Sequence, residues 1–270
     1  VDRMLEATRT RKKAVVIGGG LLGLEAAHGL LKQGMDVTVV HIFDSLMERQ
    51  LDRAAGALLK ESLEKRGLKF RMATKTAEIL GSPRVTGVRF DDGTELPADL
   101  VVMAVGIRPN IELAQAAGLR CERGVMVNDT MQTFDPSIYA VGECVQHRNS
   151  TYGLVAPLFD QARVCATHLA EFGIGHYMGS MVSTQLKVTG IDLFSAGDFI
   201  GSPSSEALVM RDARRGIYKR IVIENNKVRG AVLYGDVKDA AWYLELMTQG
   251  RDVGPLRDKL LFGAAFAGKA

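Results

Sequence analysis

Short apolar runs alternate with amphipathic stretches over the first hundred residues, and the alternation predicts strands and helices in turn. Ala14–Ile17 is an apolar run of strand length, Leu24–Lys32 carries a helical pattern closed by Gly34, and Val37–Val40 is a second apolar strand. Gln50–Arg66 reads as an amphipathic helix with Leu51, Ala55, Leu58, Leu59, Ser62 and Leu63 on one face, ended by Gly67. Leu68–Met72 and Val85–Phe90 read as strands, and Asp91-Asp92-Gly93 as a hairpin turn. Leu100–Val105 is nearly continuously apolar, the pattern of a strand buried on both faces. This order predicts an α/β fold with a parallel sheet.

Further on, residues 130–143 read as a polar turn, a strand, then Gly142 followed by Glu143. A helix is expected from Ala156-Pro157, since proline suits a first helical turn. From residue 175 the rhythm changes. Val182–Val188, Ile191–Ala196, Ala207–Arg211, Gly216–Glu224 and Lys227–Tyr234 read as strands, with Asn225-Asn226 as a tight turn. Asp239–Gln249 and Pro255–Leu261 read as helices, which makes the C-terminal part α+β. The expected divisions are 1–12 as a polar, basic linker, then 13–117, 118–174 and 175–270. The stretch after Leu261 trails off without a cap.

A length of 270 residues allows about two domains. With 47% hydrophobic and 24% charged residues the composition is that of a globular protein, not a disordered one. A net charge of +3 is too small to point to nucleic acid, and no apolar run is long enough for a membrane span; no signal peptide is read. The 3 cysteines (Cys121, Cys144, Cys165) are far apart and exclude a disulfide framework or a Cys-x-x-Cys pair, which fits a reducing cytoplasm. The histidines do not pair at metal spacing, so no metal site is expected; His147 alone stands near the candidate chemistry. Cys144 reads as a buried, inert side chain, Trp242 as a core or interface anchor, and the cluster Arg211, Arg214, Arg215, Lys219, Arg220 as a solvated surface.

The chemistry lies in the glycines. Gly18-Gly19-Gly20-Leu21-Leu22-Gly23 joins the first strand to its helix as a Gly-x-Gly-x-x-Gly turn. Gly18 permits the tight turn, Gly20 lets a pyrophosphate approach the backbone, and Gly23 lets the helix pack on the strand. A dinucleotide pyrophosphate is expected on the helix N-terminus. The end of the second strand should choose between NADH and NADPH. It carries His41 in place of the acid that suits NADH or the arginine that suits NADPH; a weak lean to NADH results. Arg49, the nearest cation, reads as an ordinary helix charge. Gly106 ends an apolar strand where ligands approach such sheets, and Glu143 is placed either to accept hydrogen bonds from a sugar or ribityl hydroxyl or to cap the next segment.

Three motifs in this order resemble the pyridine-nucleotide-dependent flavoprotein reductases: Gly-x-Gly-x-x-Gly-x-Glu at Gly18–Glu25, Ala104-Val105-Gly106 with Arg108-Pro109-Asn110, and the stretch 130–143. The likeness covers about residues 13–172. It implies a Rossmann-like NAD(P)H-binding domain, the returning segment of an FAD domain and a C-terminal interface domain. It implies that Gly18, Gly19, Gly20, Leu22, Gly23 and His41 hold NADH or NADPH, and that Glu25 is the catalytic residue beside nicotinamide and flavin. Gly142, Glu143, Val155 and Ala156 fall to FAD, with Glu143 standing where most of the family has Asp, and Gly106 is a further cofactor-binding residue. A narrower resemblance, to the large subunit of assimilatory NAD(P)H nitrite reductases, is carried by His41, residues 46–52, 142–148, 152–157, 187–198 and 230–236.

That resemblance implies electron transfer from NAD(P)H through FAD to an Fe–S centre and sirohaem outside this chain, with a small subunit as partner and a homodimer through the C-terminal domain. It places an FAD-binding glycine loop before residue 1 and the Fe–S and sirohaem cysteines after residue 270. The segment by itself is expected to bind NAD(P)H weakly and FAD poorly. A rubredoxin or ferredoxin reductase, and a nucleotide-binding module without turnover, are the alternative readings.

Overall fold

The computed structural model describes residues 2–172 and 175–267. The chain forms two compact units, residues 1–106 with 183–270, and residues 107–182.

The first unit opens with helix α1 (Asp2–Thr8), where the sequence suggested a linker; Met4 packs from it against the core. Strand β1 (Lys13–Ile17), helix α2 (Leu21–Lys32), strand β2 (Asp36–Val40), helix α3 (Arg53–Glu64) and strand β3 (Lys69–Arg71) follow. A three-stranded antiparallel sheet, β4 (Thr76–Leu80), β5 (Gly87–Phe90) and β6 (Glu95–Pro97), precedes β7 (Leu100–Met103). The parallel sheet has the order β3-β2-β1-β7. Successive residues of a strand face opposite sides, and β1 shows it: Ala14 and Val16 enter one apolar cluster, Val15 the other. Both faces of the central strands are covered, so these read as unbroken apolar runs. β7 departs from that expectation. It is an edge strand whose residues are half-buried at best, and Met103 is 64% exposed.

After residues 107–182, whose three strands β8 (Val125–Val127), β9 (Val145–His147) and β10 (Ser150–Thr151) belong to the second unit, the chain returns to the first with β11 (Ser183–Val188), β12 (Ile191–Gly197), β13 (Glu206–Asp212), β14 (Ile217–Glu224) and β15 (Lys227–Tyr234). They form an antiparallel sheet of order β11-β12-β15-β14-β13. Asn225 and Asn226 both have left-handed φ (52° and 55°), as the two-residue hairpin turn requires. One face of this sheet packs Phe194, Ile221 and Leu233 against helix α6 (Ala240–Gln249). The other sends Leu193, Val232 and Tyr234 into the cluster that holds Leu59 and Leu63 of α3. A 3₁₀ stretch (Gly254–Phe262) replaces the second expected helix, and a short helix α7 (Ala264–Ala267) follows where the sequence pattern trails off. Trp242 is half-buried against the α6 cluster.

The basic cluster is not one solvated face. Lys219 is buried between Asp236 (3.4 Å) and Asp239 (3.5 Å), while Arg220 points the other way and donates to the Phe199 and Ile200 carbonyls. Tyr218 donates to Asp52 Oδ2 at 2.7 Å, joining β14 to the start of α3. Burial first, then the neighbouring carboxylate, holds the Tyr218 hydroxyl protonated far above the ordinary tyrosine range. Among the described residues Asp52 Oδ1 is buried without a partner, so Tyr218→Phe strips the carboxylate of its one side-chain bond there. This substitution is expected to cost about 2 kcal/mol in urea unfolding.

The second unit holds α4 (Glu112–Ala116), β8 (Val125–Val127), β9 (Val145–His147), β10 (Ser150–Thr151) and α5 (Val155–Leu169). Its core is Met131, Cys165 and Tyr177 with half-buried Val127, Tyr139 and Tyr152. Residues 138–141 do not form the strand that the sequence suggested: one bridge, Gln132 to Tyr139, is all that forms. Asn128 Oδ1 instead accepts from the Thr130 and Gln132 amides and shapes the segment as a turn. Among the described residues no helix is long and apolar enough to cross a membrane.

Candidate functional site

The Gly-rich turn is closed by sterics at two points and open at one. Gly18 has φ 122°, and a Cβ there would lie 2.1 Å from the Ala104 carbonyl oxygen. A Cβ on Gly23 would lie 2.0 Å from the Gly18 oxygen. These two glycines let β1, α2 and the end of β7 meet. Gly20 is different: nothing lies within 4 Å of its Cβ position. No packing demands glycine there, so its bareness keeps a space free in front of the helix.

That space faces bare amides. The α2 N-cap is Gly20, with no side-chain cap, and the first helical bond runs from the Leu24 amide to the Gly20 oxygen. The amides of Leu21, Leu22 and Gly23 therefore carry no partner among the described residues, an arrangement that suits a phosphate. Leu22 and Glu25 are exposed on the same helix. The Gly18 amide instead donates to Val40, and the Gly19 amide to His41 Nδ1 at 3.1 Å.

His41 stands at the end of β2, as the sequence placed it, but it is only 7% exposed and both ring nitrogens are engaged. Nδ1 accepts from Gly19, so Nε2 carries the proton and donates to Glu48 Oε2 at 3.0 Å. Met47, with left-handed φ 52°, donates its amide to the Gly19 oxygen. The peptide groups around Gly19 are thus held on both edges by the segment that follows β2. Sequence reading missed Glu48, because it sits in a turn where no periodicity marks which side chain turns inward. Arg49 is exposed, and among the described residues it forms no ion pair.

Gly106 (φ 105°) ends the stretch after β7 with nothing within 4 Å of its Cβ position.

In the second unit, Gly142 has φ 104° and equally open space, and its amide donates to the buried Gln161 at 3.1 Å. Glu143 is exposed, and its Oε1 lies 4.0 Å from where a Cβ on Gly153 would stand. α5 begins nearby with Leu154 as N-cap and no side-chain cap; Val155 and Ala156 are exposed. Within this unit an open glycine, a carboxylate and an uncapped helix start are thus gathered in one place. Cys144 is half-buried rather than fully buried.

His147 is buried in the same unit. Its Nε2 donates to Asp129 Oδ1 at 2.8 Å, and Arg148 grips the same carboxylate at 2.9 and 2.6 Å. Tyr177 packs against the ring with centroids 5.0 Å apart and planes tilted by 57°, and burial pushes its hydroxyl up to about 12. Arg148 first, then His147, hold the Asp129 carboxyl down at about 2, against 3.8 for an ordinary Asp. A depressed carboxyl stabilises the fold fully above its unfolded value and less as pH falls through the folded one. The stability lead of the wild type over Asp129→Asn is therefore expected to be constant above about pH 5 and to shrink between about pH 4 and 2 in urea titrations.

Residues 2–166 match the family model described as pyridine nucleotide-disulphide oxidoreductase, and residues 183–251 that of the rubredoxin NAD+ reductase C-terminal domain. A nitrite reductase [NAD(P)H] of Bacillus subtilis is 53% identical over 93% of this chain and 31% of its own length. A nitrite reductase (NADH) large subunit of Escherichia coli is 36% identical over 95% of the chain and 31% of its length. The chain thus spans about a third of these relatives. A solved ferredoxin reductase from Rhodopseudomonas palustris is 28% identical, with a TM-score of 0.77 over 88% of this chain and 59% of that one. With the glycine turn, the parallel sheet and the C-terminal antiparallel sheet all in the expected order, the chain belongs to the pyridine nucleotide-disulphide oxidoreductase family.

Proposed function

We propose that this chain is the NAD(P)H-oxidising flavoprotein portion of a nitrite reductase. The observation that carries the reading is the open Gly20 position in front of unpaired helix amides. The similarity to the Bacillus subtilis nitrite reductase supports the choice of final acceptor. In this reading the Leu21, Leu22 and Gly23 amides hold the dinucleotide pyrophosphate, and Gly18 and Gly23 keep the turn tight enough to aim them. Glu25 lies one turn along α2, beside the nicotinamide. Within the second unit Gly142 and Glu143 are the flavin-binding residues, and the amides at Val155 and Ala156 favour negative charge on the flavin by about 1 kcal/mol; Gly106, in the first unit, is a further cofactor-binding residue. When bound, FAD would supply the relay between a two-electron donor and one-electron acceptors. Fe–S and sirohaem belong to parts of the full-length protein beyond these residues, a small subunit and a homodimer complete the assembly, and the cytoplasm is its compartment.

The test is Gly20→Val in the full-length protein. Its Cβ enters vacant space, so the thermal midpoint is expected to stay within about 2 °C of wild type. NADH affinity is expected to fall roughly ten- to a hundredfold, the worth of one or two charge-assisted hydrogen bonds. Unchanged NADH affinity with an unchanged fold would overturn the reading.

A further inference from the structure

A strand-end residue beside a Gly-rich turn normally meets the adenosine ribose of a dinucleotide. Here that residue is His41, and its ring has no nitrogen to offer: Nδ1 is held by the Gly19 amide and Nε2 by Glu48. The polar group that this strand end does present is the carboxylate on the far side of the ring. Glu48 is about one-third exposed, its Oε2 is fixed by the imidazole N–H, and its Oε1 has no hydrogen-bond partner among the described residues. Leu46 and Met47, both fully buried, root the segment, and the Met47 amide ties it to the Gly19 oxygen. The carboxylate is therefore coupled to the phosphate turn by a chain of two hydrogen bonds, Gly19 to His41 and His41 to Glu48.

We propose that the Glu48 carboxylate, oriented by the buried His41, receives the adenosine ribose and selects NADH over NADPH. The proposal rests on the nucleotide-binding reading above and adds its specificity. A fixed carboxylate accepts from ribose hydroxyls and repels a 2′-phosphate. The adjacent Arg49 is exposed and unanchored by comparison, so the fixed charge at this position is negative. His41 acts as a positioning residue: it never touches the ribose, and its work is to carry the geometry of Gly19 across to Glu48.

Calorimetric titration of the full-length protein with ADP-ribose and with 2′-phospho-ADP-ribose reads this preference without turnover. Wild type is expected to prefer ADP-ribose by about tenfold or more, and Glu48→Gln to bring the ratio within about threefold by weakening the first ligand and strengthening the second. His41→Asn keeps an acceptor for the Gly19 amide but offers Glu48 a shorter donor. It is expected to shift the ratio in the same direction, and the double variant to add little to Glu48→Gln alone. A wild type that binds both ligands equally or prefers the phosphorylated one overturns the proposal, as does an unchanged ratio in Glu48→Gln; in each case nucleotide binding itself stands. Failure of wild type to bind either ligand removes the nucleotide reading, and this proposal with it.

Discussion

Gly18→Ala is expected to destabilise the nucleotide-binding half by about 3 kcal/mol or more, the range of a strained backbone combined with a steric clash. Two causes act together. The residue has φ 122°, where side chains are disfavoured, and the added methyl would sit 2.1 Å from the Ala104 carbonyl oxygen. Neither partner has room to give, because the Ala104 amide is bonded to Ile17 and the Gly18 amide to Val40. Urea unfolding followed by circular dichroism measures the loss, and NADH affinity should fall with it as the helix start moves. Gly20→Val, two residues away, is the contrast: there the fold is expected to survive and the ligand to leave. A Gly18→Ala variant as stable as wild type would mean that the turn relaxes, and the distinction between the two glycines would collapse.

Lys219→Ala is the second large effect, expected to cost about 3–5 kcal/mol, as when one partner of a buried ion pair is removed. Lys219 is 3% exposed, with Asp236 and Asp239 around its ammonium group. Asp239 is also the residue before α6, and its Oδ1 accepts from the Ala264 amide at 3.0 Å. Removing the cation leaves two carboxylates facing each other where β14, α6 and the start of α7 converge. Lys219→Met restores the packing of the stem but not the charge, so it should recover only part of the loss. Full recovery by Met would show that the aliphatic chain, not the ammonium, holds the three elements.

The parts that the sequence made legible are those with local causes. The glycine turn, β1, α2 and β2 follow from short-range pattern, and the Asn225-Asn226 turn from the ease with which asparagine takes left-handed φ. Less legible were features set by neighbours far away in sequence. The apolar run at 100–105 looked doubly buried, yet β7 lies on the sheet edge. The 138–141 run looked like a strand, yet the Asn128 side chain draws off the nearby amides. Lys219 looked solvated among its arginines because strand alternation, which sends it inward and Arg220 outward, is invisible in a tally of charges. At the site, the glycines were found by spacing, but Glu48 was not. Its role depends on a tautomer fixed by Gly19, and no motif records that.

The first unit is interrupted in sequence by the second. A ribosome that has released residues 1–182 has finished the inner unit and only the opening portion of the outer one. During that interval Leu59 and Leu63 lack Leu193, Val232 and Tyr234, the side chains that later share their cluster. The α3 face thus packs first on the side chains of β1, α2 and β2, and its outer part gains its cover only when the later strands have been made.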